Sequence, residues 1–362
     1  MTQAAAIFLD AYRELNARKM FWITLVISGL VVCALLMVGL TDDHRLKLLF
    51  WEMPFPIPKE FTLADLLKAT FVSFGVGFWL TWAAAILALV STASIFPDFV
   101  SSGSIDLMLS KPIGRPRLFL LKYCSGLLFV ALQVGAFSLA AFLMIGWRAG
   151  AWEPGLFLAV PIVVIFFSYL FCVCALVGIV TRSTIAALLL TILFWLLLFG
   201  VNTADGILVM PRALYDVYVE KLHAKIEAAG ARGESGSTTS ASLERQLTEA
   251  QATQESWRRW HGMVLTAKTA LPKTDDTIKL LERWLVKSAN LPETPNDESE
   301  QRQMMPFLTG EMYVAGVRAP EVFERMEANY RSRSVLWVLG TSLMFEAVVL
   351  AIALWIFVRR DF

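Results

Sequence analysis

Six long runs of apolar residues divide the chain, and each is long enough to cross a lipid bilayer as a helix. A spanning helix needs about 20 mostly apolar residues to cover the hydrocarbon core. The alternating strands of a membrane barrel would not produce continuous apolar runs of this length. The pattern therefore predicts an all-α, polytopic membrane protein with six transmembrane helices. The predicted spans are Phe21–Leu40, Thr70–Phe96, Leu118–Trp147, Gly155–Val180, Ser183–Val201 and Ser334–Val358.

Two segments outside these spans predict helices of their own. Residues 4–19 carry apolar residues at helical spacing with charges on the other faces, which predicts an amphipathic helix in the membrane interface. Residues 203–333 are the largest polar segment and predict a mostly helical extracytoplasmic domain between spans five and six. Residues 1–202 then hold the interfacial helix and the first five spans. Residues 334–362 hold the sixth span and the C-terminus.

Helical periodicity predicts four helices within this outer domain. The first carries an apolar stripe over Leu214–Ile226, and the flexible break GARGESGSTTS follows at residues 230–240. A second helix is predicted over Ser242–Thr269. A third begins at Thr274, whose hydroxyl can cap the helix N-terminus, and a fourth covers Pro320–Ser332.

The distribution of lysine and arginine predicts the orientation of the spans. Cytoplasmic loops of membrane proteins carry an excess of these residues. Here they concentrate before the first span, between spans two and three, between spans four and five, and after the sixth span. Six spans place all four segments on one side, so both termini are predicted to be cytoplasmic. The basic residues are Arg13, Arg18, Lys19, Lys111, Arg115, Arg117, Arg182, Arg359 and Arg360.

Composition and motifs exclude several classes of function. The chain is 57% hydrophobic and 17% charged with a net charge of +1, so no charge imbalance points to nucleic acid. It contains no phosphate-binding P-loop, no H-E-x-x-H and no G-x-S-x-G motif. The three histidines are scattered and are expected to be solvated, and the four cysteines lie in or beside apolar runs as packing residues. The sequence therefore predicts no enzyme active site, no cofactor and no metal centre.

One acidic residue stands out within the spans. Glu346 lies near the middle of span six, where a charged acid costs at least about 2.5 kcal/mol on insertion scales. It should therefore face the protein interior, and Ser342, one turn earlier, could hydrogen-bond it. Glu346 is either part of a substrate or proton pathway, or a neutral acid that joins two helices by a hydrogen bond. Softer polar positions, for which packing is the expected role, are Gln133, Ser168, Thr191 and Asn202.

The segment FPDFVSSGSIDLMLSKPIGRPRLFLLKYCSG, residues 96–126, carries the strongest local signal. Ser104 can cap a short helix over Ile105–Ser110, and Pro112 ends it. The helix is unusually apolar for a cytoplasmic loop, and Lys111 and its basic neighbours border it. Such a helix suits a groove on a soluble partner, or it could lie on the surface of anionic lipid.

This segment resembles the coupling region of type-2 ABC exporter permeases, the ABC-2 membrane family. In that family a glycine, a short apolar stretch and a Lys-Pro followed by basic residues precede the third span. The interfacial helix, the six spans and the position of the largest outer segment agree. The resemblance covers roughly residues 5–202 and 334–362. The outer segment is far longer than the short re-entrant hairpin of the simplest members, so no substrate carries over. The matching residues are Gly103, Ile105, Asp106, Leu109, Lys111, Pro112, Arg115, Lys122 and Gly126.

The resemblance implies a transport subunit in a bacterial inner (plasma) membrane, without an ATPase site of its own. Two such subunits, as a homodimer or with a second permease, would form the pathway. Separate ABC ATPase subunits would dock on the loops and drive alternating access. The predicted docking residues are Gly103, Ile105, Asp106, Leu107, Leu109, Lys111, Pro112 and Arg115.

A second class of function fits the same chain. A membrane-anchored scaffold or sensor would act through the extracytoplasmic helical domain at residues 203–333 and would need no ATPase. Ion-coupled transport has Glu346 as its only support in the sequence.

Overall fold

The structure is a computed structural model, and it describes most but not all of the chain. The predicted interfacial helix at residues 4–19 lies almost wholly outside the described residues, as does the docking segment from residue 102 to residue 113. The described ranges are 19–41, 45–48, 51–56, 62–101, 114–232, 238–288, 313–314 and 317–359.

Helices dominate the described chain. In chain order they are α1 (Lys19–Leu36), α2 (Leu63–Thr70), α3 (Ala85–Thr92), α4 (Ile95–Ser101), α5 (Arg115–Ala149), α6 (Ala159–Thr181), α7 (Thr184–Ala231), α8 (Thr238–Ala270), α9 (Thr274–Ser288), α10 (Ala319–Arg331) and α11 (Thr341–Arg359). Wider π-helical turns over Phe71–Ala84 join α2 to α3, and others over Leu336–Gly340 lead into α11. A 3₁₀ turn over Pro154–Leu158 leads into α6.

Five helical segments are long and apolar enough to cross a membrane. They correspond to predicted spans two to six. The mostly helical prediction is therefore confirmed, and the five segments are compatible with a polytopic membrane protein. The apolar helix over Phe21–Leu36 is shorter, and the count of six spans stays a prediction. The five segments are Leu63–Val100, Arg115–Ala149, Pro154–Thr181, Thr184–Ala231 and Leu336–Arg359.

Two small antiparallel sheets depart from the all-α prediction. β1 (Val38–Leu40), β2 (Arg45–Leu48) and β3 (Trp51–Pro56) pair in that order after α1. β3 is an edge strand, and its two prolines fit there because proline lacks the N–H that a central strand must donate. β4 (Tyr313–Val314) pairs with β5 (Val317–Arg318) just before α10.

The chain folds into two compact units. Unit 1 comprises Met1–Leu197, Thr274–Glu293 and Ser342–Phe362, and unit 2 comprises Leu198–Lys273 and Thr294–Thr341. Helix α9, which the sequence analysis grouped with residues 203–333, thus belongs to unit 1. It contacts α6 and the π-helical turns before α3.

One end of unit 1 brings together the end of α4, the start of α5 and the end of α11. The rings of Phe99 and Phe357 stack with centroids 5.9 Å apart. The Arg115 side chain donates from Nη1 to the carbonyl of Val358 at 3.0 Å. Two of the segments predicted to be cytoplasmic, the loop before α5 and the C-terminus, therefore leave unit 1 at the same end.

The other end of unit 1 holds the ends of α1 and α5, the last turn of α2 and the loop before α6. Lys68 pairs with Glu153 across 3.2 Å, with both side chains largely shielded from solvent. The Arg148 guanidinium donates to the carbonyl of Leu36. These contacts connect the predicted extracytoplasmic ends of four helical segments.

Helix α6 is the centre of unit 1. The apolar window of its segment is 72% buried, against 22% for the segments that contain α7 and α11. Gly126 of α5 lets α6 approach closely, because a Cβ at this position would lie 2.5 Å from the ring of Phe171. Small residues allow this kind of close helix contact within membranes.

Unit 2 is helical and has its own apolar contacts. The observed helices α8 and α10 confirm the predicted helices over Ser242–Thr269 and Pro320–Ser332 to within a few residues. One buried apolar cluster consists of Ala213, Val217, Val317 and Val322. A second consists of Val219, Leu222 and Ala250.

Candidate functional site

The candidate site lies in the interior of unit 1, around Glu346 of α11. The Glu346 side chain is only 9% exposed, so the prediction that it faces the protein interior is confirmed. The Tyr123 hydroxyl of α5 donates to its Oε1 at 2.8 Å. The Ser168 hydroxyl of α6 lies 2.8 Å from its Oε2. Glu346 therefore connects α11 to α5 and α6 through hydrogen bonds.

Both hydroxyl partners also contact backbone carbonyls. The Tyr123 hydroxyl lies 3.1 Å from the carbonyl of Ser168, and Ser168 Oγ lies 2.8 Å from the carbonyl of Ile165. The Tyr123 ring stacks on Phe171 with centroids 5.2 Å apart, which holds its hydroxyl toward α11. Packing on α6 therefore positions both hydroxyls for the carboxyl.

A second polar group lies beside the first. The buried Tyr169 hydroxyl of α6 faces Thr277 of α9 and Ser342 of α11. It makes no hydrogen bond of ordinary geometry with a described residue. Both Thr277 and Ser342 are fully buried. Helix α9 thus supplies a polar side chain to the interior of unit 1.

The structure changes the partners expected for Glu346. Ser342 lies one turn earlier on α11, as predicted, but it faces Tyr169 instead of hydrogen-bonding Glu346. The expected hydrogen bond between Ser342 and Glu346 is therefore wrong. Tyr123 was missed, and Ser168 was assigned a packing role only. A hydroxyl in the middle of an apolar span was the available signal for Ser168.

The predicted docking residues do not join this site. Those from Gly103 to Pro112 lie outside the described residues. Arg115 is described, and its guanidinium bonds to the carbonyl of Val358 within unit 1. At least part of its hydrogen-bonding capacity is therefore used inside the chain.

A second buried carboxylate, Asp205, lies in unit 2 among charged groups. Lys268 Nζ donates to Oδ2 at 2.8 Å, and His261 Nε2 lies 2.9 Å from Oδ1. Arg333 donates to both oxygens, at 2.8 and 2.9 Å. The other ring nitrogen of His261, Nδ1, lies 2.7 Å from Nη1 of Arg212. The expectation that His261 is solvated is wrong, because it is buried within this network.

The direction of the hydrogen bonds assigns the His261 tautomer. A guanidinium has donors only, so Nδ1 of His261 accepts from Arg212. The hydrogen then resides on Nε2 and is donated to Asp205. A neutral histidine thus joins the carboxylate to a second arginine.

No metal centre is evident in the described ranges, where no cluster of three or more His, Cys, Asp or Glu side chains could hold an ion. No family model, curated protein or solved structure matches the chain.

Proposed function

We propose that this chain is the permease subunit of an ATP-driven exporter of the ABC-2 type. It would work as a dimer, or paired with a second permease, with separate ATPase subunits that drive alternating access. The chain itself would hydrolyse no ATP. The docking segment would be residues 103–112, and the membrane would be a bacterial inner membrane with both termini in the cytoplasm.

The observation that best supports this proposal is the path of α5. This helix begins directly after the docking segment, where Arg115 contacts the end of α11. Two turns further on, Tyr123 contacts Glu346, also on α11. A displacement of the docking segment would therefore act on two helices that share a buried hydrogen bond.

Helix α9 supports a role at the opposite end of the pathway. It packs against α6 in unit 1, and Thr277 faces Tyr169 in the interior. Its first turn carries Asp275 and Asp276, of which Asp276 is buried. We propose that α9 closes the extracytoplasmic end of the pathway in this conformation.

The first experiment is affinity purification of the detergent-solubilised chain, followed by an ATPase assay on the complex. A stoichiometric P-loop ATPase partner supports the proposal. Lys111→Glu is expected to weaken this association and uncouple ATP turnover from transport, because it reverses a charge in the docking segment. Arg182→Glu is the matched control, since it reverses an exposed charge outside the segment.

Two results would count against the proposal. A folded chain that purifies without any ATPase would favour the scaffold or sensor function, with unit 2 as the partner-binding part. Wild-type coupling in Lys111→Glu would remove the docking role from this segment. Deletion of residues 233–237 should leave ATPase association intact, since these residues lie in the polar break between α7 and α8.

The proposed orientation has its own test. A fluorescent protein fused to the C-terminus should fluoresce, whereas alkaline phosphatase fused there should be inactive. The same two reporters inserted at residue 235, between α7 and α8, should give the reverse pattern. An active phosphatase at the C-terminus would contradict the cytoplasmic placement of that end.

A further inference from the structure

One face of α11 carries an exposed apolar stripe that ends at a positive charge. The stripe consists of four side chains that are between 45% and 70% exposed, namely Met344, Val348, Ile352 and Trp355. Arg359 follows one turn later and is also exposed. Spacings of three and four residues place all five on the same side of the helix. The stripe is thus a continuous apolar surface with a guanidinium at one end.

The stripe has the length that one lipid leaflet requires. Trp355 follows Met344 by eleven residues. A rise of about 1.5 Å per residue makes this distance about 16 Å, and half of the hydrocarbon core of a bilayer is about 15 Å. The segment that contains α11 is long and apolar enough to cross a membrane. An acyl chain of one leaflet could therefore lie along the whole stripe.

The end of the stripe has the residue types of a membrane interface. The central guanidinium carbon of Arg359 lies 4.6 Å from the centroid of the Trp355 ring. Tryptophan is enriched at the level of lipid headgroups, and long basic side chains at helix ends reach the same level. The Arg359 guanidinium is therefore placed where a lipid phosphate would lie.

A second guanidinium lies at the same end of unit 1. Arg115, in the first turn of α5, donates from Nη1 to the carbonyl of Val358 at 3.0 Å. Because Val358 directly precedes Arg359, two arginines from different helices flank the last turn of α11. A backbone carbonyl has no net charge, so this hydrogen bond positions the Arg115 guanidinium without neutralising it.

Cations outnumber carboxylates where these helices end. The comparison covers the described residues of α4, the first eight residues of α5 and the last turn of α11. The cations there are Arg115, Arg117, Lys122 and Arg359, and the only carboxylate is Asp98. Whatever pairs form among these groups, an excess of positive charge remains. Basic residues clustered at a membrane surface attract anionic lipids.

We propose that Arg115 and Arg359 bind the phosphate of one anionic phospholipid, whose acyl chain lies along the stripe on α11. Each guanidinium presents a planar fork of N–H donors that fits a phosphate. A zwitterionic lipid would bind more weakly, because its headgroup brings a cation of its own. A soluble phosphate compound would also bind more weakly, because it could not cover the apolar stripe.

The proposed lipid site does not depend on transport by this chain, since it uses only the ends of α5 and α11. It requires that α11 lies in a membrane. In the proposed orientation, the lipid would belong to the cytoplasmic leaflet.

Lipid competition on the full chain tests the proposal. The chain in mild detergent is equilibrated with equal amounts of phosphatidylglycerol and phosphatidylcholine that have the same acyl chains. Mass spectrometry then measures the lipids that the purified chain retains. We expect phosphatidylglycerol to be enriched. Arg359→Gln and Arg115→Gln should each reduce this enrichment about fivefold, the contribution of one basic residue near an anionic surface.

Two variants and one competitor serve as controls. Arg182→Gln is the matched control, because it removes an exposed arginine from the connection between α6 and α7, and it should leave the enrichment unchanged. Arg359→Lys should keep most of the enrichment, because the positive charge remains. Glycerol phosphate at the same concentration as the lipid should not displace phosphatidylglycerol, because it has no acyl chain.

Four results would overturn the proposal. The wild-type chain might retain the two lipids equally, or Arg359→Gln might keep the full enrichment while its size-exclusion profile matches that of the wild type. An equal loss in Arg182→Gln would show that any cytoplasmic arginine attracts the lipid. Displacement by glycerol phosphate would assign the site to a soluble anion.

Discussion

Two carboxyl groups, Glu346 in unit 1 and Asp205 in unit 2, are buried away from water. They have different hydrogen-bonding partners. Glu346 is 9% exposed and contacts two hydroxyls, whereas Asp205 is 1% exposed and contacts Lys268, Arg333 and His261. All four hydrogen bonds to Asp205 come from groups that donate. They fill the roughly four lone-pair sites of an ionised carboxylate.

The partners of the two buried acids differ in charge. At Asp205 the charged and hydrogen-bonded partners offset the cost of burying the negative charge. At Glu346 the hydrogen-bonding partners among the described residues are two uncharged hydroxyls. We therefore expect the replacement of the carboxyl by an amide to cost more stability at Asp205 than at Glu346.

The largest expected effect is that of Asp205→Asn. The amide keeps the size of the side chain but removes the negative charge that Lys268 and Arg333 share, and it turns one N–H group toward other donors. Removing one partner from a buried ion pair typically costs about 3–5 kcal/mol. The free energy of unfolding should fall by this order, with faster hydrogen exchange in α8.

Glu220→Gln is the matched control for this prediction. It also removes an acidic charge from an ion pair in unit 2, but Glu220 is 68% exposed and its partner is Arg325. Exposed ion pairs contribute about 0–1 kcal/mol. Equal losses in the two variants would mean that the Asp205 network carries no special stability.

A smaller effect is expected where α5 packs on α6 beside the Glu346 site. A Cβ at Gly126 would lie 2.5 Å from the Phe171 ring, and this ring stacks on Tyr123. Gly126→Ala should therefore displace Phe171 and cost about 1–3 kcal/mol, as overpacking does in other cores. Thermal unfolding in detergent followed by fluorescence would measure the loss.

Gly135→Ala separates overpacking from the general effect of glycine in a helix. Gly135 lies on the same helix, and nothing lies within 4 Å of a Cβ built there. Because alanine favours helix over glycine by about 1 kcal/mol, this variant should be as stable as the wild type or slightly more stable. A comparable loss at both glycines would show that Phe171 tolerates the added methyl group.

Gln133 is a buried polar residue whose side chain has neither charged nor hydroxyl partners among the described residues. Both polar atoms of its side chain amide are buried without a hydrogen bond to a described residue, beside a cavity of about 10 Å³. That volume suits about one water molecule. Gln133→Leu should raise the free energy of unfolding by about 1 kcal/mol if the amide is unsatisfied. Unchanged stability would indicate that a water already satisfies the amide.

The elements that sequence analysis predicted well are those set by local patterns. Apolar length alone located the five helical segments that are long and apolar enough to cross a membrane. The cost of a charge in hydrocarbon was enough to predict that Glu346 is buried. The pattern around Thr274 also predicted the start of α9 correctly. The alternation in β2 and β3 is only a few residues long and lies among balanced charges, so the three-stranded sheet was missed.

The partners within each site could not be predicted, because they come from distant parts of the chain. Tyr123 is 223 residues from Glu346, and Ser168 is 178 residues from it. Asp205 and Arg333 are 128 residues apart. A single hydroxyl or histidine has many possible partners, and only the packing of the helices selects among them.

The smallest expected effect completes the comparison of the two acids. Glu346→Gln keeps the size of the side chain, and the amide can still accept from Tyr123 at Oε1 and donate from Nε2 to Ser168 Oγ. The free energy of unfolding should change by less than about 1 kcal/mol, the net worth of a typical hydrogen bond. Glu346→Leu should cost more, because it removes both contacts and leaves the two hydroxyls with their backbone carbonyls only. If Glu346→Gln were instead as costly as Asp205→Asn, the two hydroxyls would stabilise the Glu346 carboxyl as strongly as the charged groups stabilise Asp205.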